Sequence, residues 1–308
     1  MSGGPVPSRA HVASEARNPR TAELDRLSTR EALGLMLAED AQVLSALEAA
    51  GEELAAAAEL VAERLAAGGR LLYVGAGTSG RLGVLDAVEC PPTFQSDPDL
   101  VQGLIAGGEG AMFRAVEGAE DDEATAAAEL AERGLTRADV VIGISASGTT
   151  PYVRGALRHA DEVGAATVML ACVPFENVPD EAGISIRLDT GPEVLTGSTR
   201  LKAGTATKMA LNAISTLAMV RLGKVHGNLM VDVNTAGNSK LLDRGLRLVS
   251  ELTDLDRDAA AAALRAAGGS VKLAVVMMRR GLGREAAAEH LAACGGHLRA
   301  ALGGGESS

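Results

Sequence analysis

Gly75-Ala76-Gly77-Thr78-Ser79-Gly80 closes an apolar, strand-like run at residues 70–74, and Ser145-Ala146-Ser147-Gly148-Thr149-Thr150 closes a second at 139–145. Each is followed by a helical pattern. A strand, a glycine turn and a helix, used twice, are the elements of a parallel α/β sheet. Glycine lets the backbone turn tightly and approach a ligand, leaving N–H groups free at the start of the next helix, where the dipole favours an anion. Hydroxyls add donors that suit a phosphate monoester. Gly77, Thr78 and Ser79 in the first loop, with Ser145, Ser147, Gly148 and Thr150 in the second, are therefore the candidate phosphate-binding residues. Gly75, Gly77 and Gly80 also match the dinucleotide pattern GxGxxG, which calls for an acid about 20 residues further on. The next strand-like run, 100–106, meets an acid only at Glu109. The loop hydroxyls and the second, similar loop point to a small sugar phosphate rather than NAD.

Outward from these loops the pattern continues. Strands are expected at 70–74, 100–106, 139–145, 166–173 and 184–188, with helices at 79–89, 111–133, 151–163 and 201–222 between and after them. Ser28 and Glu31 form a capping box for a helix over 29–38, and an Ala-rich helix runs on to about Ala67. Past Gly237 the β-rich runs stop, and helical patterns follow at 239–252, 257–267, 271–279 and 284–293. The expected organisation is a loose tail over 1–20, an α/β domain over 21–236 and a small helical subdomain over 237–304.

Composition narrows the functional classes. A net charge of −11 and an aromatic content of 2% disfavour both the electrostatic and the stacking modes of nucleic-acid binding. No apolar run approaches the roughly 18 residues of a membrane span. The polar start, with Pro and Gly and no apolar core, does not read as a signal peptide, so a cytoplasmic location is expected. Cys90, Cys172 and Cys294 are far apart and lack metal-ligand spacing, which predicts neither metal nor disulfide. An anionic substrate must then be held locally, against the overall field.

Three further segments carry candidate chemistry. Glu89 precedes Cys90-Pro91-Pro92, and prolines should end its helix there, setting a carboxylate against the dipole. That suits a general acid, or simply a solvated helix end. Glu117-Gly118-Ala119-Glu120-Asp121-Asp122-Glu123 reads as a solvated acidic first turn or, less naturally, as a Mg²⁺ site. Residues 193–205 form a third hydroxyl loop in which Ser198, Arg200 and Lys202 stand at a helix start. Cations there oppose the dipole, so a compensating anion is expected.

Taken in order, Gly75-Ala-Gly-Thr-Ser-Gly-Arg-Leu-Gly83, Asp86-Ala-Val-Glu-Cys-Pro-Pro92, Leu104-Ile-Ala-Gly-Gly108, Ala115-Val-Glu-Gly-Ala-Glu-Asp121, Thr196-Gly-Ser-Thr-Arg-Leu-Lys-Ala-Gly-Thr205 and Gly223-Lys-Val-His-Gly-Asn-Leu-Met-Val-Asp232 resemble the N-acetylmuramic acid 6-phosphate etherases. The likeness runs from Glu15-Ala-Arg-Asn18 past Asn238-Ser-Lys-Leu241. It implies a sugar isomerase (SIS) fold, a homodimer without metal or other cofactor, and release of D-lactate from N-acetylmuramic acid 6-phosphate to leave N-acetylglucosamine 6-phosphate. The family's two functional glutamates fall on Glu89 and Glu120. Two departures stand out. The family commonly reads Ala-Ala-Ser-Gly-Arg-Thr-Pro at the second loop, where this chain has Ser145 for the first Ala and Thr149 for the Arg. Its Cys-Asn-Pro appears here as Cys172-Val173-Pro174. The rival readings are a phosphosugar isomerase and a non-catalytic sensor resembling the glucokinase regulatory protein, and neither predicts lactate.

Overall fold

The computed structural model describes residues 15–237 and 239–303. The first fourteen residues of the expected tail, and Asn238, lie outside them. Within the described part the chain forms two compact units. One runs through Ala87 and again over Asp99–Ser215; the other takes Val88–Pro98 and everything from Thr216. The second unit thus begins ahead of the boundary expected at residue 237.

The first unit is built on a five-stranded parallel sheet: β1 (Leu71–Gly75), β2 (Val101–Ile105), β3 (Val140–Ile144), β4 (Ala166–Ala171) and β5 (Ile184–Arg187), in the order β2-β1-β3-β4-β5. β1 and β3 are buried at every residue, as the contiguous apolar runs require of strands covered on both faces. They are neighbours with Gly75 opposite Ile144, so the loops that follow them emerge side by side where the strand order reverses. That switch point is where open α/β sheets bind ligands. Helices α1 (Thr29–Asp40), α2 (Gln42–Ala49) and α3 (Gly51–Ala66) precede the sheet, and α4 (Gly77–Phe94), α5 (Glu123–Glu132), α6 (Pro151–Val163) and α7 (Lys202–Arg221) alternate with or follow its strands. Leu130 of α5 and Tyr152, Val153 and Ala156 of α6 close one apolar core with Leu72, Val141 and Met169 of the sheet.

The capping box is present, with Glu31 accepting from the Ser28 amide at 2.9 Å. Other local expectations are corrected. The expected tail does not stay loose to Arg20: Asn18 is buried and donates to Glu39 Oε2 at 2.9 Å and Pro192 O at 3.1 Å. The helix expected over 111–133 is instead two short 3₁₀ turns, Glu109–Met112 and Ala119–Asp121, followed by α5. Gly118 at φ 77° takes the left-handed region that a helix interior excludes, and Asp122 then caps α5 by accepting from Thr125 N at 3.0 Å. The Ala-rich run to Ala67 is broken at Ala50 into α2 and α3.

In the second unit a short antiparallel pair, β6 (Val225–His226) with β7 (Leu229–Met230), precedes α8 (Ser239–Thr253), α9 (Arg257–Ala266), α10 (Val271–Arg280), α11 (Arg284–Ala293) and α12 (Leu298–Ala301). Val249, Ala260, Leu264, Val275, Val276 and Leu298 form its core. No single helix among the described residues is long and apolar enough to cross a membrane.

Candidate active site

In the first loop, α4 starts at Gly77, which is exposed, while Thr78 and Ser79 are half-buried. The turn depends on Gly80. A Cβ there would lie 2.5 Å from Gly75 O and 2.7 Å from Ile105 Cγ1. Gly80→Ala is therefore expected to push the start of α4 off the sheet and cost about 2 kcal/mol or more. Urea unfolding would measure this, and a wild-type midpoint would contradict the close approach.

In the second loop, Gly148 N donates to Ser145 O at 3.0 Å. The hydroxyls of Ser145 and Thr150 lie 2.7 Å apart, and those of Ser147 and Thr149 lie 2.8 Å apart. Ser145 is buried and works inside the loop; Ser147, Thr149 and Thr150 are half-buried at the start of α6, whose N-terminus has no side-chain cap. The departure at Thr149 removes a guanidinium, but another lies nearby. Arg187, at the end of β5, is paired with Asp180 and keeps Nη1 buried without a partner, 3.5 Å from the position of a Gly148 Cβ. Nothing in the local sequence signals it, because the contact is made across β4.

The third loop divides. Gly204 packs against the first loop, its Cβ position 3.6 Å from Thr78 Cγ2, while Ser198 is half-buried and Arg200 exposed. Lys202 departs from expectation. It is fully buried and donates to Glu39 Oε2 at 2.8 Å, so its compensating anion is a carboxylate of α1. The N-terminus of α7 is likewise occupied by a carboxylate. Buried Glu193 accepts from the amides of Lys202 and Ala203, each at 3.0 Å. Burial raises the Glu193 carboxyl above its ordinary range, against the pull of those amides.

A cleft of about 200 Å³ brings Gly77 of the first loop together with Glu120. Val116, Glu117 and Gly118 also line it, and so does Arg81, one turn into α4 and not singled out by the sequence reading. Glu120 itself is exposed on the 3₁₀ turn. Glu89 is exposed too, but it does not end its helix. α4 continues through Pro91 and Pro92 to Phe94, although the prolines withdraw the N–H groups that would meet the carbonyls of Ala87 and Val88. Glu89 therefore lies within α4 rather than at its carboxyl end, and the helix terminus does not set its carboxylate against the dipole. A larger cleft of about 340 Å³ contains no candidate residue, and its arginines are engaged. Arg154 donates to Gly148 O and Pro179 O, and Arg158 pairs with Glu123.

Among the described residues no three His, Cys, Asp or Glu side chains are grouped to hold a metal ion. Burial pushes the Cys172 thiol up to about 12, which removes it as a nucleophile.

The doubly wound sheet with hydroxyl loops at its switch point defines an SIS-type domain. Residues 53–161 match the glucokinase regulatory protein N-terminal SIS domain, and residues 122–217 match the SIS domain. The N-acetylmuramic acid 6-phosphate etherase of Gloeobacter violaceus is 55% identical over 272 residues, 88% of this chain and 89% of that protein. That of Crocosphaera subtropica is 54% identical over 303 residues, 98% of this chain and 99% of that protein. The chain belongs to the N-acetylmuramic acid 6-phosphate etherase family. Among solved structures, phosphoheptose isomerase from Neisseria gonorrhoeae aligns with 63% of this chain and 98% of its own at 17% identity and a TM-score of 0.46.

Proposed function

We infer that this chain is a carbon–oxygen lyase that cleaves the D-lactyl ether of N-acetylmuramic acid 6-phosphate, giving D-lactate and N-acetylglucosamine 6-phosphate in the recycling of cell-wall amino sugars. The observation that carries this is identity above one half, sustained over nearly the whole chain, to etherases of the same length. In the open-chain sugar the C3 ether is β to the aldehyde. Loss of the C2 proton and departure of the C3 oxygen give an unsaturated aldehyde, and water then adds hydroxide at C3 and a proton at C2. Glu120 takes the C2 proton. Glu89 protonates the leaving lactate oxygen and later activates water. The glutamate roles rest on their places in the family's motifs, with the cleft at Glu120 in support.

The phosphate is assigned to the first two loops, through Gly77, Thr78, Ser79, Ser147, Gly148 and Thr150, with Ser145 holding Thr150 and with Ser198 and Arg200 at the rim. Lys202 is left out, because Glu39 already holds it. The chain works in the cytoplasm without nucleic-acid or membrane partners and without a cofactor. It acts as a homodimer. Leu33 and Leu37, one turn apart on α1 and both more than half exposed, support an interface between copies.

The deciding assay incubates purified protein with N-acetylmuramic acid 6-phosphate and measures D-lactate. Binding without lactate would favour the sensor, and aldose–ketose exchange the isomerase. Ser147→Ala is expected to weaken substrate binding about tenfold through loss of a hydrogen bond to a charged group. An unchanged Kd by calorimetry would take Ser147 out of the site.

A further inference from the structure

We propose that Arg81 receives the carboxylate of the D-lactyl group and so makes the cleft selective for a carboxylated ether over other phosphosugars. The proposal rests on the etherase reading above. That substrate carries two anions: the phosphate at C6 and, next to the bond that breaks, a carboxylate. The hydroxyl loops suit the first. The second must lie close to C2 and C3, and therefore close to the base that takes the C2 proton.

The cleft that holds Glu120 presents a carboxylate with a hostile wall. Glu117 and Glu120 both line it, and the chain as a whole carries a net charge of −11. Arg81 is, among the described residues, the one basic side chain on its surface. Its Nε donates to Met112 O at 3.1 Å, which fixes the plane of the guanidinium and leaves both Nη groups to other acceptors. Although it shares the cleft with two glutamates, it forms no ion pair with either. A planar guanidinium held by one edge and unpaired on the others is the group that binds a carboxylate through two parallel hydrogen bonds. The half-buried position strengthens those bonds relative to open water.

The test compares the natural substrate with its lactamide ether, which has the same shape and leaving atom but no charge. Wild-type enzyme is expected to prefer the carboxylate in kcat/KM by about 10²-fold. In Arg81→Gln that preference should collapse to within about threefold, through loss of activity on the carboxylate alone. Arg81→Lys should restore part of it by returning the charge. Equal losses on both ethers would overturn the proposal by making Arg81 a support for the loop. So would a wild type that does not discriminate, a measurement that needs no folded variant. Failure of the wild type to release either alcohol would instead overturn the etherase reading.

Discussion

Glu120→Ala incubated with substrate in D₂O is expected to show neither deuterium at C2 nor lactate, because the proton that starts the elimination stays in place. Glu89→Ala should fail at a later step. Its base is intact, so the C2 proton continues to exchange while lactate release falls by about 10²-fold or more, the usual scale of general-acid assistance. Wild-type enzyme in D₂O and ¹⁸O-water should return N-acetylglucosamine 6-phosphate with deuterium at C2 and ¹⁸O at C3. Retention of the original C3 oxygen would falsify elimination and hydration, since cleavage on the lactyl side leaves that oxygen on the sugar. Exchange in the Glu120 variant and none in the Glu89 variant would swap the two roles and leave the reaction standing.

Glu39→Gln is expected to be the most damaging substitution for stability. Glu39 accepts from Asn18, Arg20 and Lys202, and the Lys202 side chain has no solvent exposure. Neutralising the carboxylate strands a buried ammonium, a change that costs about 3–5 kcal/mol. Lys202→Met should cost less, because Glu39 keeps Arg20 and Asn18. Hydrogen bonding to Arg20 first, then to Lys202 and Asn18, holds the Glu39 carboxyl down to about 2 from an ordinary 4.5. A carboxyl lowered by folding contributes stability above its unfolded value and loses it as the pH falls toward the folded one. Roughly 3 kcal/mol should therefore fade between about pH 4.5 and 2 in the wild type and be missing from Glu39→Gln. Urea titrations of both proteins across that window would show it, and parallel curves would refute the assignment.

The strands were legible because β1 and β3 are continuous runs without a charged residue, β4 is interrupted only by Thr167, and a strand covered on both faces has few other ways to be written. The ends of α6 were equally plain, with Pro151 opening it and Gly164 closing it at φ 82°. What stayed hidden depends on residues distant in sequence or on exceptions to local rules. Lys202 looks like a cation waiting for an anion until Glu39, 163 positions earlier, is placed beside it. Pro91 and Pro92 mark a stop that α4 ignores. The left-handed backbone of Gly118, which sets Glu120 on its own turn, is a property of the folded chain. Arg81 stood beside the first loop in full view. Only the cleft gives it a role.

The early lacing of the chain also bears on where it can be shortened. Asn18 donates to Pro192 O, and Thr21 donates to Val194 O at 2.8 Å, so residues 18–21 are stitched to the strip that leads into the third hydroxyl loop. A protease cut or a late translation start beyond Thr21 would remove those stitches together with two of the donors to Glu39, Asn18 and Arg20. A trimmed end that reaches Asn18 therefore alters the strip before the third loop, 174 positions away in the chain, as well as the terminus itself.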